Sequence, residues 1–314
     1  GGLEALRRAA GPHKTLLGCG CPLGPALGLV DVMRIGPDVA PRWNPAHFNL
    51  EWPFRAETDM PSVRNAIHNT LTRAPLHRRW WINDPDCLLL RPEARLTLAE
   101  VQTLASVIAL TGGALLLSDD LPDLPPERLR IAAQLLPLIG QRPQVPDWFD
   151  HATPTRLRLD LENATGHWHL LAWFNWQDKK RDVTLTATEF GLPEGEYTAR
   201  EFWRGDIYRG AWTLKEIPAH GVALLSVRPA NARYLGSDLH ISQGLEVTQW
   251  SATPEGLRFR IERPGQAEGQ VMLRLPNPPR SVTINGENAS IEEAGEDSYR
   301  LLVNFYRTIE VQML

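Results

Sequence analysis

Arg34-Ile35-Gly36-Pro37-Asp38 sets a guanidinium and a carboxylate four residues apart at the end of a short apolar run. In an extended segment the two side chains need not share a direction. Gly36-Pro37 turns the chain, however, and can bring both into one pocket. Asn83-Asp84-Pro85-Asp86 and Asp119-Asp120 are two further carboxylate-rich ends of apolar runs. Carboxyl groups placed this way suit the cleavage of a glycosidic bond, which needs one on either side of the scissile bond. Turns also favour Asp, whose carboxylate satisfies backbone amides. The local sequence leaves both readings of Asp38 open. Of each acidic pair, one member is expected to be structural, capping a turn or holding an arginine.

Other motifs carry less chemistry. Gly18-Cys19-Gly20-Cys21-Pro22-Leu23-Gly24 loosely resembles a dinucleotide-binding loop. That motif needs a helix directly after it, and Pro22, Pro25 and the spacing of the third glycine argue against one. Cys19, Cys21 and Cys87 form no Cys-x-x-Cys pair, and the nine histidines are scattered, so no structural zinc is expected. The chemistry outlined here needs no metal or organic cofactor.

The elements that must position these residues alternate between strand and helix. Thr15–Gly18, Val30–Ile35, Trp80–Ile82 and Ala114–Leu117 are short apolar runs, each closed by Gly, Pro or Asp, and predict strands. Val63, Ala66, Ile67, Leu71 and Ala74 give one helical face between them. Thr97-Leu98-Ala99-Glu100 is a capping box that opens the next helix. Leu98, Val101, Leu104, Ala105 and Ile108 are its expected buried stripe, and Gly112-Gly113 its end. Leu129, Ala132, Ala133 and Leu136 predict a further helix after Pro125-Pro126. Strands alternating with helices predict parallel β-structure with right-handed crossovers. The polar strand ends then gather where the active site of a (β/α) barrel lies.

From about Pro154 the pattern turns to β. Leu157, Leu159 and Leu161 alternate with Arg158 and Asp160. Trp168–Trp176, Val183–Thr186, Tyr197–Trp203 and Val222–Val227 follow as strands. Leu245–Trp250, Leu257–Ile261, Val271–Leu275, Val282–Ile284, Tyr299–Val303 and Ile309–Met313 form a second group after Pro229. Short strands between turns predict one or two antiparallel sandwiches. The expected organisation is the C-terminal half of a (β/α)8 TIM barrel over residues 1–150, a β-sandwich over 151–229 and a second β-rich module over 230–314.

The 314 residues bear a net charge of -4, which argues against a nucleic-acid partner. No apolar run reaches the roughly 18 residues of a membrane helix. Three cysteines are too few for a disulfide framework, and the chain is expected in the cytoplasm. Eleven tryptophans against five tyrosines suggest large aromatic surfaces, buried or stacked on sugars. The chain opens Gly1-Gly2-Leu3 with no initiator Met and no signal peptide. It reads as the interior of a larger protein, since half a barrel would leave its edges open.

The segments Leu17–Gly20, Val30–Asp38 and Trp81–Leu89 together resemble the α-galactosidases of glycoside hydrolase family thirty-six, in the melibiase clan. The Gly112–Asp120 segment fits that family's last barrel strand. Trp173-Phe174-Asn175-Trp176 and Pro218-Ala219-His220-Gly221 look like its C-terminal region. The resemblance covers most of residues 1–228. It implies a retaining α-galactosidase acting on α-galactoside oligosaccharides. Asp38 would be the general acid/base and Arg34 would bind galactose near the reacting carbon. Cys19 and Gly20 would line the sugar pocket, with Asp84 and Asp86 in or behind it. The family's nucleophilic Asp, on a Lys-x-Asp strand, and its hydroxyl-binding acidic pair belong upstream of Gly1. The 314 residues alone are therefore expected to be inactive.

Rival readings are a non-catalytic carbohydrate-binding or scaffold protein, a transglycosidase making raffinose-type sugars, and an α-N-acetylgalactosaminidase. The first would use Trp168, Trp173, Trp176, Trp203 and Trp212 as a sugar platform, although such rings more often pack in cores. Homo-oligomerisation is left open.

Overall fold

The computed structural model describes residues 1–254 and 256–314. Its first part holds α1 (Gly2–Ala10), β1 (Leu17–Gly18), β2 (Val32–Arg34), α2 (Val63–Arg73), β3 (Ile82–Asp84), β4 (Cys87–Leu88), α3 (Leu98–Thr111), β5 (Leu116–Leu117) and α4 (Pro126–Gln134). β1, β2 and β3 pair in parallel and in sequence order, and β4 pairs in parallel with β5. β3 and β4 belong to one stretch of chain broken at Pro85-Asp86. Pro85 has no amide to donate, and Asp86 takes φ 75. The first half of the stretch thus pairs with β2 and the second with β5. The four apolar runs lie side by side as parallel strands, in two short sheets.

Helix ends follow the capping signals. Thr97 caps α3, and both halves of the capping box form, with Glu100 Oε2 2.7 Å from the Thr97 amide. Gly112 closes the helix at φ 70. Gly113 is required for a different reason: a Cβ there would stand 2.4 Å from the Asn83 carbonyl oxygen. This close approach lets the Ala114 amide bond that same oxygen at 2.8 Å, leading the chain into β5 beside β4.

Two expected helix faces are corrected. Leu98 is exposed, while Val101 and the residues from Thr103 to Thr111 are all buried. α3 is enclosed between α2, α4 and the sheet of the next part, so its burial has no single stripe. Leu129 and Ala133 of α4, and Leu136 just beyond it, face solvent. Ala132 of the expected face is buried, joined by Ile131 and the following Leu135, because α4 docks by the face opposite Leu129.

The second part holds β6 (Arg156–Asn163), β7 (Gly166–Phe174), β8 (Arg181–Leu185), β9 (Tyr197–Glu201), β10 (Ile207–Arg209), β11 (Trp212–Ile217) and β12 (Val222–Pro229). Five form an antiparallel sheet in the order β10-β9-β12-β7-β6, and β8 pairs with β11. Alternation divides the side chains between two cores. Leu157, Leu159, Leu161, Trp168, Leu170, Ala172, Phe174 and Leu224 meet α2, α3 and α4. Leu171, Trp173, Ala223, Leu225 and Val227 meet Leu185, Trp212 and Leu214 of the small sheet. The principal core therefore runs continuously across residue 150. β10 and β11, unforeseen in the sequence, are short, and β11 interleaves Trp212, Leu214 and Ile217 with exposed Thr213, Lys215 and Glu216.

The third part holds β13 (Tyr234–Ser237), β14 (Val247–Thr253), β15 (Gly256–Arg274), β16 (Val282–Ile284), β17 (Glu287–Asn288), β18 (Glu292–Gly295) and β19 (Ser298–Met313), all in one sheet. Here four predicted strands merge into two. Leu257–Ile261 and Val271–Leu275 lie along β15, and Tyr299–Val303 and Ile309–Met313 along β19. Pro264-Gly265 falls in a bulge between Glu262 and Gln266 where the ladder shifts register. A bulge leaves its extra residue unpaired, so proline is tolerated there.

Candidate active site

Pairing of β2 with β3 sets Val32 opposite Ile82 and Arg34 opposite Asp84. Side chains two apart on a strand share a face. Arg34 and Asp84 therefore extend the face that carries Leu17, Val32 and Ile82, at the C-terminal ends of the strands. The opposite face, with Met33 and Asn83, is buried.

Arg34 gathers three carboxylates. Its Nε lies 3.1 Å from Asp84 Oδ2, its Nη2 2.9 Å from Asp86 Oδ1 and its Nη1 3.0 Å from Asp38 Oδ1. The side chains of Asp84 and Asp86 are 0% and 7% exposed, whereas that of Asp38 is 72% exposed. Burial by itself would lower the Arg34 pKa; the fields of Asp84 and Asp86 outweigh it and raise the value. Cys19 lies near enough to add to that field.

The two buried carboxylates also hold the backbone. Asp84 Oδ1 accepts from the Asp86 amide at 2.8 Å, and Asp86 Oδ2 from the Val39 amide at 2.7 Å. Asp86 thereby ties the β3–β4 break to the loop that carries Asp38. The Asp38 carbonyl accepts from the Ser62 amide at 3.1 Å, closing that loop at the start of α2. Burial raises the Cys87 thiol, aided by its hydrogen bond with Asp86. Cys19 is exposed, and Gly20 takes φ 67 in the turn beside it.

The structure thus brings Arg34, Asp38, Asp84 and Asp86 into direct contact, with Cys19 alongside. Asp119 is elsewhere: its fully buried side chain accepts from the Leu90 amide at 2.6 Å and pairs with Arg91 at 2.7 Å. Sequence reasoning missed Arg73, whose Nη1 donates to the Ile35 carbonyl. It also missed the Asn83 side chain, which joins Trp81 Nε1 at 3.1 Å to the Arg73 carbonyl at 3.0 Å. A further missed cluster is His220 between Glu100 at 2.7 Å and Asp178 at 2.9 Å, its ring stacked on Trp43 at 4.4 Å. Its sequence signals were the Pro218-Ala219-His220-Gly221 segment and the capping-box Glu100, whose second oxygen is left for a partner.

The sugar platform is not formed. Trp168, Trp173 and Trp212 are buried, and Trp176 and Trp203 are half-buried. Their indole N–H groups are engaged where the ring reaches a carbonyl or hydroxyl: Trp168 with Ser242, Trp176 with Pro154 and Trp203 with Ser106. These rings cement the sandwich to its neighbours.

The fold is similar to that of several solved glycosidases. An alpha-galactosidase I from Mortierella vinacea is 18% identical, with a TM-score of 0.54 over 73% of this chain and 62% of its own. A GH27 β-L-arabinopyranosidase from Geobacillus stearothermophilus, solved with arabinose, is 16% identical, with a TM-score of 0.54 over 73% of this chain and 54% of its own. An alpha-galactosidase from Thermus thermophilus, in complex with p-nitrophenyl alpha-D-galactopyranoside, is 31% identical over 50% of this chain and 30% of its own, at a TM-score of 0.39. The chain thus spans less than two thirds of the length of each. More particularly, residues 161–227 match the family described as the alpha galactosidase C-terminal beta sandwich domain. That range covers most of the five-stranded sheet and both strands of the small one.

Proposed function

We propose that the chain carries the acid/base side of a retaining α-galactosidase that removes terminal α-galactosyl residues from oligosaccharides. The observation that supports this is the convergence of Asp38, Asp84 and Asp86 on Arg34 at the ends of neighbouring parallel strands. Only Asp38 of the three is open to solvent, and so to a substrate. In this reading the parallel strands are four of the eight of a (β/α)8 barrel. The resemblance sets the nucleophilic Asp on a strand outside residues 1–314.

The nucleophile attacks the anomeric carbon while protonated Asp38 gives its proton to the departing glycosidic oxygen. Asp38, now a carboxylate, then takes a proton from the water that hydrolyses the glycosyl-enzyme. Donation requires Asp38 to part from Arg34. Asp84 and Asp86 make this feasible, because they keep the guanidinium paired and in place when Asp38 leaves. Arg34 is then free on one edge to bind a sugar hydroxyl.

The test is Asp38→Asn in an enzyme that includes the upstream carboxylate. Loss of acid catalysis should slow cleavage of an unactivated galactoside by about 10²–10⁴-fold and that of an activated aryl galactoside far less. Equal losses on both substrates would remove the acid/base role. Residues 1–314 alone should not turn over an aryl α-galactoside, and measurable turnover would refute the division of the two carboxylates.

A further inference from the structure

A cavity of about 680 Å³ opens between α2 and the sandwich. It joins a second cleft of about 660 Å³ along shared walls of Trp43, Arg64, Trp176 and Gln177. Neither cleft contains Arg34, Asp38, Asp84 or Asp86. The trough is strongly cationic in a chain of net charge -4. Arg64, Arg156 and Arg181 line the larger cavity against the single carboxylate of Glu189, and Glu189 already pairs with Arg156 at 3.2 Å. In the smaller cleft Asp178 is taken up by His220 at 2.9 Å and Arg55 at 3.3 Å, while Lys179 adds a further cation. Among the described residues, no carboxylate lies within ion-pairing distance of Arg64, Arg181 or Lys179.

Aromatic side chains form part of the walls. Trp176 stacks on Phe174, with centroids 4.9 Å apart, and on Trp43 at 6.4 Å. The face of Trp173 carries Arg181 at 5.4 Å. Gln177, Thr153 and Thr155 add neutral hydrogen-bonding groups to the lining; the Thr155 hydroxyl already donates to Asp147 and the Thr153 hydroxyl meets His68 Nδ1 at 2.8 Å, so each threonine can still accept from a sugar hydroxyl. A small inorganic anion would use only one end of a trough whose cations and amides are spread along its length.

We propose that this trough is a second, non-catalytic binding site for an acidic saccharide, such as a hexuronate or a phosphorylated hexose. The anionic group sits on Arg64 and Arg181, and the sugar hydroxyls on Gln177 and the two threonines. The proposal does not depend on the role of Asp38.

Calorimetric titration of the chain with galacturonate, galactose 6-phosphate, galactose and inorganic phosphate tests it. Both acidic sugars should bind, and galactose and phosphate should bind at least about tenfold more weakly. Raising the salt concentration should weaken binding. Arg64→Gln and Arg181→Gln should each reduce affinity by about tenfold. Glu189→Gln, which removes the competing negative charge, should increase it. Asp38→Asn should leave it unchanged. Equal affinity for galactose would overturn the anionic character, and equal affinity for phosphate the saccharide. Affinity that persists in both arginine variants while their thermal melts match the parent would overturn the site.

Discussion

Arg34 and Asp84 face each other across paired positions of two parallel strands, Nε to Oδ2 at 3.1 Å, with the carboxylate fully buried. The pair is a structural joint as well as a candidate part of the site. Asp84 also holds the Asp86 amide, and Asp86 holds Val39, so one guanidinium orders both loops that meet at Asp38.

Removing the cation should therefore be far more costly than removing the exposed acid. Arg34→Met would leave the Asp84 and Asp86 carboxylates buried without a counter-ion, a loss of about 3–5 kcal/mol. Asp38→Asn removes an exposed partner and should cost under about 1 kcal/mol. Urea unfolding of the two variants measures the contrast. Similar losses would mean that Asp38 is structural and Arg34 is not the joint described.

The His220 cluster predicts a falling stability toward alkaline pH. Burial alone would lower the His220 pKa, but its hydrogen bonds to Glu100 and Asp178 outweigh that and raise it. A raised folded value means that the contribution is fully present below the unfolded value of about 6.5 and is lost as pH rises through the folded one. Asp178 is lowered, chiefly by the hydrogen bond from His220. Its contribution is present above about pH 3.9 and lost in acid. The pair is thus most stabilising between about pH 4 and 6.5. Unfolding free energy measured from pH 6 to 8.5 should fall less steeply in His220→Gln than in the parent. Parallel slopes would remove the proton linkage.

His240 works in the opposite sense. Buried between the Pro137 carbonyl at 2.8 Å and the Ser242 hydroxyl at 2.6 Å, it is pushed down to about 4 by desolvation. A neutral ring donates through Nε2 to Pro137 and accepts at Nδ1 from Ser242. With its folded value depressed, its contribution is complete above about pH 6.5 and disappears as pH falls through about 4. Acid should therefore loosen the seam between α4 and the third part first. Hydrogen exchange at Leu239–Glu246 should accelerate at pH 4.5 before exchange in β7 and β12 does. Uniform acceleration would contradict this.

Gly113 offers a purely steric test. Gly113→Ala must move the Asn83 carbonyl, 2.4 Å from the new Cβ, and with it the Ala114 hydrogen bond. Overpacking of this kind costs about 1–3 kcal/mol. A loss in that range by thermal unfolding, larger than that of Ala at the open position Gly24, is the expected result.

Much of this protein was legible in local pattern. The Thr97–Glu100 box and Gly112 fixed α3 because caps are satisfied within one helical turn. The alternation in Leu157–Leu161 and Trp168–Phe174 fixed the faces of β6 and β7 because a strand repeats every two residues. Arg34 and Asp38 could be joined on sequence alone, since Gly36-Pro37 turns a four-residue span. Tertiary structure decided what depends on partners distant in sequence. Leu98 and Leu129 are exposed because docking chose other faces of their helices. Pro264 lies within a continuous strand because β19 supplies a ladder that tolerates a bulge. Asp84 and Asp86 became ligands of Arg34 from fifty and fifty-two residues away, and Asp119 of Arg91 from twenty-eight, through strand pairing. Periodicity reports which side chains share a face; only the packed chain determines what that face meets.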